Sequence, residues 1–423
     1  MKNIILFDNQ RREQLLPFTF TRPICEIRVG ALTIREKWAI QLNGRVSFIT
    51  QDYLSDKYDI TISEVNYLVN GAVLPNPELC SLISQMESGQ AMLANGELIA
   101  AVLDREQFNR LMYDDIEELD SFEIAVSMFK RLNHIWDIFL LNEEAILTDF
   151  DLLTTGKVSK KISNTNTVIG ANNLIFLAPG SRVEGATLNS TKGPIYIGNN
   201  AEVMEGALIR GPFALGDSGT VKMGAKIYGP TSAGPHCTLA GEMKNVVMFG
   251  HSNKGHEGYL GDSVIGEWCN LGAGTNCSNL KNNWKPVKIW DYCSQKFVQT
   301  GHLKAGVFMG DYTMTGINSM LNTGTVVGLC CNVFGGGYAP RYIPSFSWGG
   351  QDNLATYLPE KAFEAIERML AIKEVVLSPE DRLLLLKIFE ETSGFRNWDG
   401  QQPPGTMPSG LSEKEKKDSA LPD

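Results

Sequence analysis

The apolar positions of this chain follow two different rhythms. Over residues 1–150, short apolar runs that read as strands (2–7, 46–50, 67–70 and 98–103) are separated by stretches of helical spacing (32–42 and 77–88). Strands alternating with helices predict an α/β unit on a mostly parallel sheet. Residues 129–146 are amphipathic and are expected to close that unit, and the polar stretch 151–167 reads as a linker.

From 168 to 345 helical spacing disappears. An aliphatic residue followed by glycine recurs, as in Ile169-Gly170, Ile197-Gly198, Leu215-Gly216, Leu260-Gly261, Ile265-Gly266, Leu271-Gly272, Met309-Gly310 and Val327-Gly328. A helix needs a period near 3.6, and this many glycines would weaken one. A Gly-rich β-sandwich has no use for a five- to six-residue beat. A left-handed parallel β-helix does: each triangular coil takes roughly 18 residues, with one small aliphatic pointing inward per hexapeptide and Gly or Asn turning the corner. Residues 352–393 return to helical spacing. Pro359-Glu360 suits a first helical turn, and Phe363, Ile366, Met369 and Leu370 share a face. Ser378-Pro379-Glu380-Asp381 reads as a cap, a first-position proline and first-turn acids, and Gly394 offers a stop. Residues 394–423, almost without apolar content, are expected to form a disordered tail.

Composition narrows the partners. Apolar residues make up 43% and charged residues 20% of the 423, so wholesale disorder is excluded. With 38 Lys+Arg against 48 Asp+Glu the formal charge is −10, which argues against nucleic acid or anionic lipid as partners while leaving room for a local basic pocket. No apolar run approaches the ~18 residues a membrane helix needs. The opening Met1–Asp8 turns acidic too soon for a signal peptide and reads as a first strand. The eight cysteines are scattered without a Cys-x-x-Cys pair, so reduced thiols and a cytoplasmic location are expected.

The densest run of chemistry-bearing residues lies in the solenoid: Glu242-Met243-Lys244, then His256-Glu257-Gly258-Tyr259-Leu260-Gly261-Asp262, then Asn270-Leu271-Gly272-Ala273-Gly274-Thr275. A neutral imidazole can take a proton near pH 7, and His256 sits in a Gly-rich loop that lets a ligand approach the backbone. Taken alone, such a histidine is more often an ordinary surface residue. His251 and His256 are five apart, but no nearby Cys, Asp or Glu pattern supports a metal pair.

Together these residues resemble the acetyltransferase half of the bacterial bifunctional family that makes UDP-N-acetylglucosamine, in which glucosamine-1-phosphate N-acetyltransferase is fused to a sugar-phosphate uridylyltransferase. Glu242-Met243-Lys244, the His256-x-x-Tyr259-Leu260-Gly261-Asp262 motif, Asn270-x-Gly272-Ala273-Gly274-Thr275, and Asn279 with Lys285 coincide with that family at fixed offsets over roughly 241–310. The resemblance implies His256 as the base that deprotonates the sugar amine for attack on acetyl-CoA. It implies Lys244 and Lys285 as holders of the sugar phosphate, and Tyr259, Asn270 and Asn279 as substrate contacts. It also implies a homotrimer with sites at subunit seams. Two departures stand out: Leu280 follows Asn279 where the family has an aromatic, and Gly229-Pro230-Thr231-Ser232 occupies the coil that carries an upstream phosphate-binding arginine. Thr315-Gly316-Ile317-Asn318 and 322–328 look closer to an alternative branch of the family.

The N-terminal half resembles that alternative branch through Leu6-Phe7-Asp8-Asn9, Arg11-Arg12, Leu16-Pro17-Phe18-Thr19-Phe20-Thr21-Arg22-Pro23, Glu26-x-Arg28-x-Gly30 and Glu36-Lys37-Trp38. The resemblance implies transfer of a nucleotidyl group from UTP or dTTP to a sugar-1-phosphate with Mg²⁺. The usual Gly-rich loop after the first strand, which cradles phosphates with backbone amides, is missing. Arg11, Arg12, Arg22, Arg28 and Lys37 are the cations available to a triphosphate in its place. In Asn70-Gly71-Ala72, alanine stands where the family has a Mg²⁺-binding aspartate, leaving Asp8 or Asp104 as candidate ligands. Two rivals remain open: a single-activity acyltransferase whose N-terminal half only binds a ligand, and a trimeric scaffold with no catalysis.

Overall fold

The structure is a computed structural model that describes residues 1–112, 119–351 and 353–398. Beyond Trp398 the expected tail lies outside the described residues.

The N-terminal unit is a six-stranded sheet in the order Gly44–Ile49, Lys2–Phe7, Val65–Asn70, Glu97–Asp104, Gln90–Ala94, Asp120–Glu123. The first three strands run parallel, Ile4 pairing with Val46 and Tyr67. Glu97–Asp104 runs antiparallel to Val65–Asn70 and forms a hairpin with Gln90–Ala94. The sheet is therefore more mixed than helical alternation predicts. A two-residue Asn95-Gly96 turn with positive φ reverses the chain there and leaves no room for a crossover helix. The helix Ile34–Gln41 begins with a capping box between Thr33 and Glu36, and Pro77–Gln85 with Asn76 as cap and proline in its first turn. Of the amphipathic stretch 129–146, Lys130–Arg131 is a short strand on Val73–Leu74, residues 132–136 turn, and the later part enters the helices Asp137–Leu140 and Asn142–Thr154. The last of these runs into the expected linker.

The remainder is a parallel β-helix. Ile195 pairs with Phe213 and Phe213 with Thr231, a coil of 18 residues. Strands stack in three columns, one per face of the triangle, and the inward positions (Val203, Ile209, Leu215, Val221, Ile227, Leu239) are buried. One coil is interrupted: Ile265 pairs with Met309, and the intervening chain holds the antiparallel hairpin Lys288–Asp291/Lys296–Gln299. Two α-helices, Pro359–Ala371 and Pro379–Glu391, follow, the second capped by Ser378, which accepts from the Asp381 amide, and a short 3-10 turn, Ser393–Phe395, carries the described chain into the span expected as tail.

The two units share a core, because one apolar cluster includes Phe18, Ile24 and Phe139 of the first and Phe249, Phe308 and Phe346 of the second. Phe18 packs on Phe249 with ring centroids 5.2 Å apart. Asn142 Nδ2 donates to the Pro230 carbonyl (2.9 Å), and its Oδ1 accepts from Ser232 (2.8 Å) and the Gly30 amide (2.9 Å). Gly234 permits close approach: a Cβ there would stand 1.5 Å from the Phe249 carbonyl oxygen and 2.8 Å from Arg28 Nε.

Candidate active site

Parallel register lines up the polar residues of one solenoid face. Lys226, Glu242 and Tyr259 stack in successive coils, and beside them Tyr228, Lys244 and Gly261. Tyr228 Oη donates to Glu242 Oε1 at 2.5 Å, and that bond pushes the phenol up to about 12. Lys244 Nζ lies 6.0 Å from the Tyr228 ring centroid and has no ion-pair partner among the described residues. Tyr259 Oη accepts from Asn279 Nδ2 at 3.0 Å, and burial, with Asp262 and Tyr228 nearby, pushes its hydroxyl up to about 12. Both phenols therefore stay protonated near neutral pH and can serve as hydrogen-bond donors. Asn279 also donates to Asp262, which accepts from Asn245 Nδ2 at 2.8 Å as well. Glycine at 261 makes this possible, since a Cβ there would stand 2.3 Å from Tyr259 Oη and 2.8 Å from Asn279 Nδ2.

His256 sits at the neighbouring corner, in the loop between Asn253–Lys254 and Tyr259–Ile265, and its side chain is exposed. Asn270 is exposed as well and lies in register with Asn253, on the face that leads into the His256 corner. Lys285 is exposed on the long loop that follows Asn279. The structure thus brings Lys244, Tyr259 and Asn279 together, sets the His256 loop at the adjoining corner, and leaves His256, Asn270 and Lys285 exposed. Sequence reasoning passed over Tyr228, Glu242, Asn245, Asp262 and Lys254. Of these, Glu242 and Asp262 stood in the quoted motifs without a role, whereas Tyr228 and Asn245 gave no local signal because their partners are one coil away.

The N-terminal cations are placed differently. Arg22 forms a buried ion pair with Asp311 at 2.5 Å, reaches Glu267 at 3.3 Å and lies 5.1 Å from the Phe249 ring centroid. Arg28 Nε donates to the Phe249 carbonyl at 2.9 Å. Lys37 is paired with buried Asp149, and Arg12 Nη2 donates to the Thr19 carbonyl and, at 2.6 Å, to Tyr53 Oη. These four side chains are buried and engaged, so they do not form an open cradle for a triphosphate. Arg11 alone of the five is part-exposed. It is held by Glu97 (2.6 Å), which also accepts from Arg131 (2.6 Å) and Asn9 (2.8 Å).

Residues 4–158 match the family model described as "Sugar nucleotidyl transferase". That match covers the N-terminal unit and under half of the chain. Two relatives extend the likeness. One is the "Bifunctional sugar-1-phosphate nucleotidylyltransferase/acetyltransferase" of Sulfurisphaera tokodaii, 35% identical over 102 residues (24% of this chain, 25% of the relative). The other is the "Bifunctional protein GlmU" of Methanococcus maripaludis, 34% identical over 248 residues (53% of this chain, 59% of the relative). The chain thus spans a quarter of the first relative's length and under two thirds of the second's. A solved structure titled "Crystal Structure of the polySia specific acetyltransferase NeuO" overlaps 46% of this chain and 87% of its own, at 15% identity and a TM-score of 0.26, a likeness too loose to carry weight.

The two residues expected as Mg²⁺ ligands, Asp8 and Asp104, are each engaged within the chain. Both Asp8 oxygens are occupied: Oδ1 accepts from the Ile24 amide (2.8 Å), and Oδ2 from Thr50 (2.6 Å) with Arg12 Nε at 3.3 Å. Burial pushes that carboxyl up. Asp104 caps its own helix through the Gln107 amide at 2.8 Å. It pairs with Val65, the first residue of its strand, so it lies at the opposite end of the strands from Asp8. Among the described residues no group of three or more His, Cys, Asp or Glu side chains is placed to hold a metal ion. Nor is any described helix long and apolar enough to cross a membrane.

Proposed function

We propose that the solenoid transfers an acetyl group from acetyl-CoA to the amine of glucosamine-1-phosphate or a close relative, with His256 as general base. The neutral imidazole takes a proton from the amine as nitrogen attacks the thioester carbonyl. The C–N bond forms, the C–S bond breaks, and the proton passes to the departing thiolate. Lys244, free of carboxylate partners among the described residues, is the compact ammonium for the sugar phosphate, assisted by Lys285 from the loop. Tyr259, Asn270 and Asn279 orient the sugar. The observation that carries this reading is the alignment of Lys244 with the Tyr259–Asn279–Asp262 cluster beside the His256 corner. The Sulfurisphaera relative, named for both a nucleotidylyltransferase and an acetyltransferase, supports pairing this activity with sugar-1-phosphate nucleotidyl transfer in the N-terminal half. The likeness to the bifunctional family also supports a homotrimer, which light scattering behind gel filtration would measure.

The test is CoA release with glucosamine-1-phosphate. His256→Ala should lower turnover by about 10²–10⁴-fold, the range for losing a general base, without changing oligomeric state. A variant as fast as wild type removes His256 from the mechanism.

A second reading is favoured by the buried pairing of Arg12, Arg22, Arg28 and Lys37: the N-terminal half keeps the nucleotidyl transferase fold without its chemistry. Pyrophosphate release from UTP or dTTP with a panel of sugar-1-phosphates separates the two. Release with any of them discards the second reading.

A further inference from the structure

One inward column of the solenoid is aliphatic or small at each turn except one. Val183 pairs with Val203, Val203 with Val221, Val221 with Leu239, and Leu239 with Lys254. Beyond it the column resumes with Leu271, Thr315 and Val333. Lys254 is fully buried, at 0% exposure, in a position its neighbours give to valine and leucine. Burial lowers the ammonium's pKa to about 8, which registers the cost of holding a charge there. No carboxylate forms an ion pair with it among the described residues; Nζ donates instead to the backbone carbonyls of His256 and Glu257, the latter at 3.1 Å.

Those two carbonyls belong to the loop that presents the imidazole. The rest of that loop is held just as firmly. The Glu257 carbonyl also accepts from the Gly274 amide at 3.1 Å, and the Gly258 carbonyl from the Glu242 amide at 3.2 Å. Gly241 lies underneath, where a Cβ would stand 2.9 Å from the His256 carbonyl oxygen. An aliphatic residue at 254 would fill the column as its neighbours do, but would leave the His256 carbonyl without this donor. The one lysine in the column stands two residues before the one histidine of the site.

We propose that Lys254 is a positioning residue for His256: its buried ammonium gathers the carbonyls of residues 256 and 257 and so fixes the direction in which the imidazole leaves the corner. Lys254 touches no substrate, and its effect on catalysis rests on the acetyl-transfer reading above.

The experiment compares Lys254→Met and Lys254→Gln with wild type. A residue that serves only the fold loses stability when replaced. Here Met restores the apolar column and removes a buried charge that Glu257 attracts without forming an ion pair, so the melting temperature should stay level or rise. In the same variant kcat for acetyl transfer should fall about 10–100-fold with the KM for glucosamine-1-phosphate within about twofold, as misplacement of a reacting group predicts. Gln, which keeps two N–H donors without charge, should recover part of that loss. Unchanged kcat in Lys254→Met overturns the proposal, and so does a kcat loss that tracks a fall in melting temperature. A second readout does not need turnover: the rate at which diethyl pyrocarbonate modifies His256, mapped by mass spectrometry with His302 as internal reference. A change of about fivefold or more at His256 alone is expected in Lys254→Met, from the same displacement of the ring. Equal rates overturn the positioning role. If wild type transfers no acetyl group and the modification rate still shifts, the activity reading fails while the positioning role stands.

Discussion

At the scale of single residues, the solenoid separates groups that must meet a ligand from groups that must not. Lys244 is half-exposed beside two phenols held in their neutral form, so its charge is open to the sugar phosphate proposed for it. Lys244→Ala should chiefly raise the KM for the phosphorylated amino sugar, by about tenfold for one charge-assisted contact of 1–2 kcal/mol, with kcat little changed. Initial rates over a range of sugar phosphate test this, and an unchanged KM contradicts the assignment. His251 is the opposite case. Its ring is stacked between His236 (4.9 Å) and Trp268 (4.2 Å), and its Nδ1 is buried without a partner. Burial first, then His236 and Lys373, lower its pKa to about 4. The folded value lies below the ordinary 6.5 or so, so between those limits the unfolded chain binds the extra proton. The stability His251 confers is therefore complete above about pH 6.5 and is lost as pH falls toward 4. After allowance for partial exposure, His251→Phe should remove about 2 kcal/mol of the acid-side loss. Urea titrations of both proteins at pH 7, 6, 5 and 4.5 measure it, and parallel curves reject it. Phenylalanine suits the site because Phe346 and Trp268 already occupy positive-φ corners (59° and 58°, against 55° at His251).

At the scale of elements, what could be read in advance was periodic or local, and what could not was paired at long range. The aliphatic-glycine beat exposed the solenoid because each coil repeats the same contact with the next. Ser378 and Pro379 exposed a helix start because a cap is settled within four residues. The cations of the N-terminal loop are another matter. Arg22 finds Asp311 at a separation of 289 residues, and Lys37 finds Asp149 at 112, so nothing adjacent revealed that their charges were already matched. The Asn142–Thr154 helix ran past the expected boundary because its far end packs on solenoid strands, not on the sheet it was expected to close: Ile146 and Phe150 join Phe176 and Tyr196 in one cluster. The Arg22–Asp311 pair is the buried lock between the two units, with Thr21 donating to the same carboxylate. Removing one partner strands the other in the interface. Asp311→Asn should thus cost about 3–5 kcal/mol, while Arg22→Met with Asp311→Leu should recover most of it. Equilibrium urea unfolding compares them, and equal stabilities for single and double variants would show that burial of the charge is not the main term.

At the scale of the whole molecule, the two units are not independent bodies joined by a tether. One apolar cluster runs from Ile4 and Trp38 through Phe139 to Phe249 and Phe308, and on to Ile366 and Ile388 of the closing helices. Lys57 of the first unit meets Asp381 of the last helix at 2.6 Å, so the described chain's two ends are stitched to each other as well as to the solenoid. An interface this apolar leaves either unit, when freed, with a face it cannot solvate. The consequence is cooperative: heating should give a single calorimetric transition in place of two, with loss of acetyl transfer and loss of N-terminal near-ultraviolet signal at the same temperature. A fragment ending at residue 158, the limit of the nucleotidyl transferase match, should then be insoluble or molten when expressed alone. Two resolved transitions, or a fragment that melts sharply by itself, would show that the shared core is an accident of packing and that each half carries its own stability. A single transition would tie the chemistry of one half to the integrity of the other, so that Asp311→Asn, far from His256 in sequence, should lower the temperature at which acetyl transfer fails.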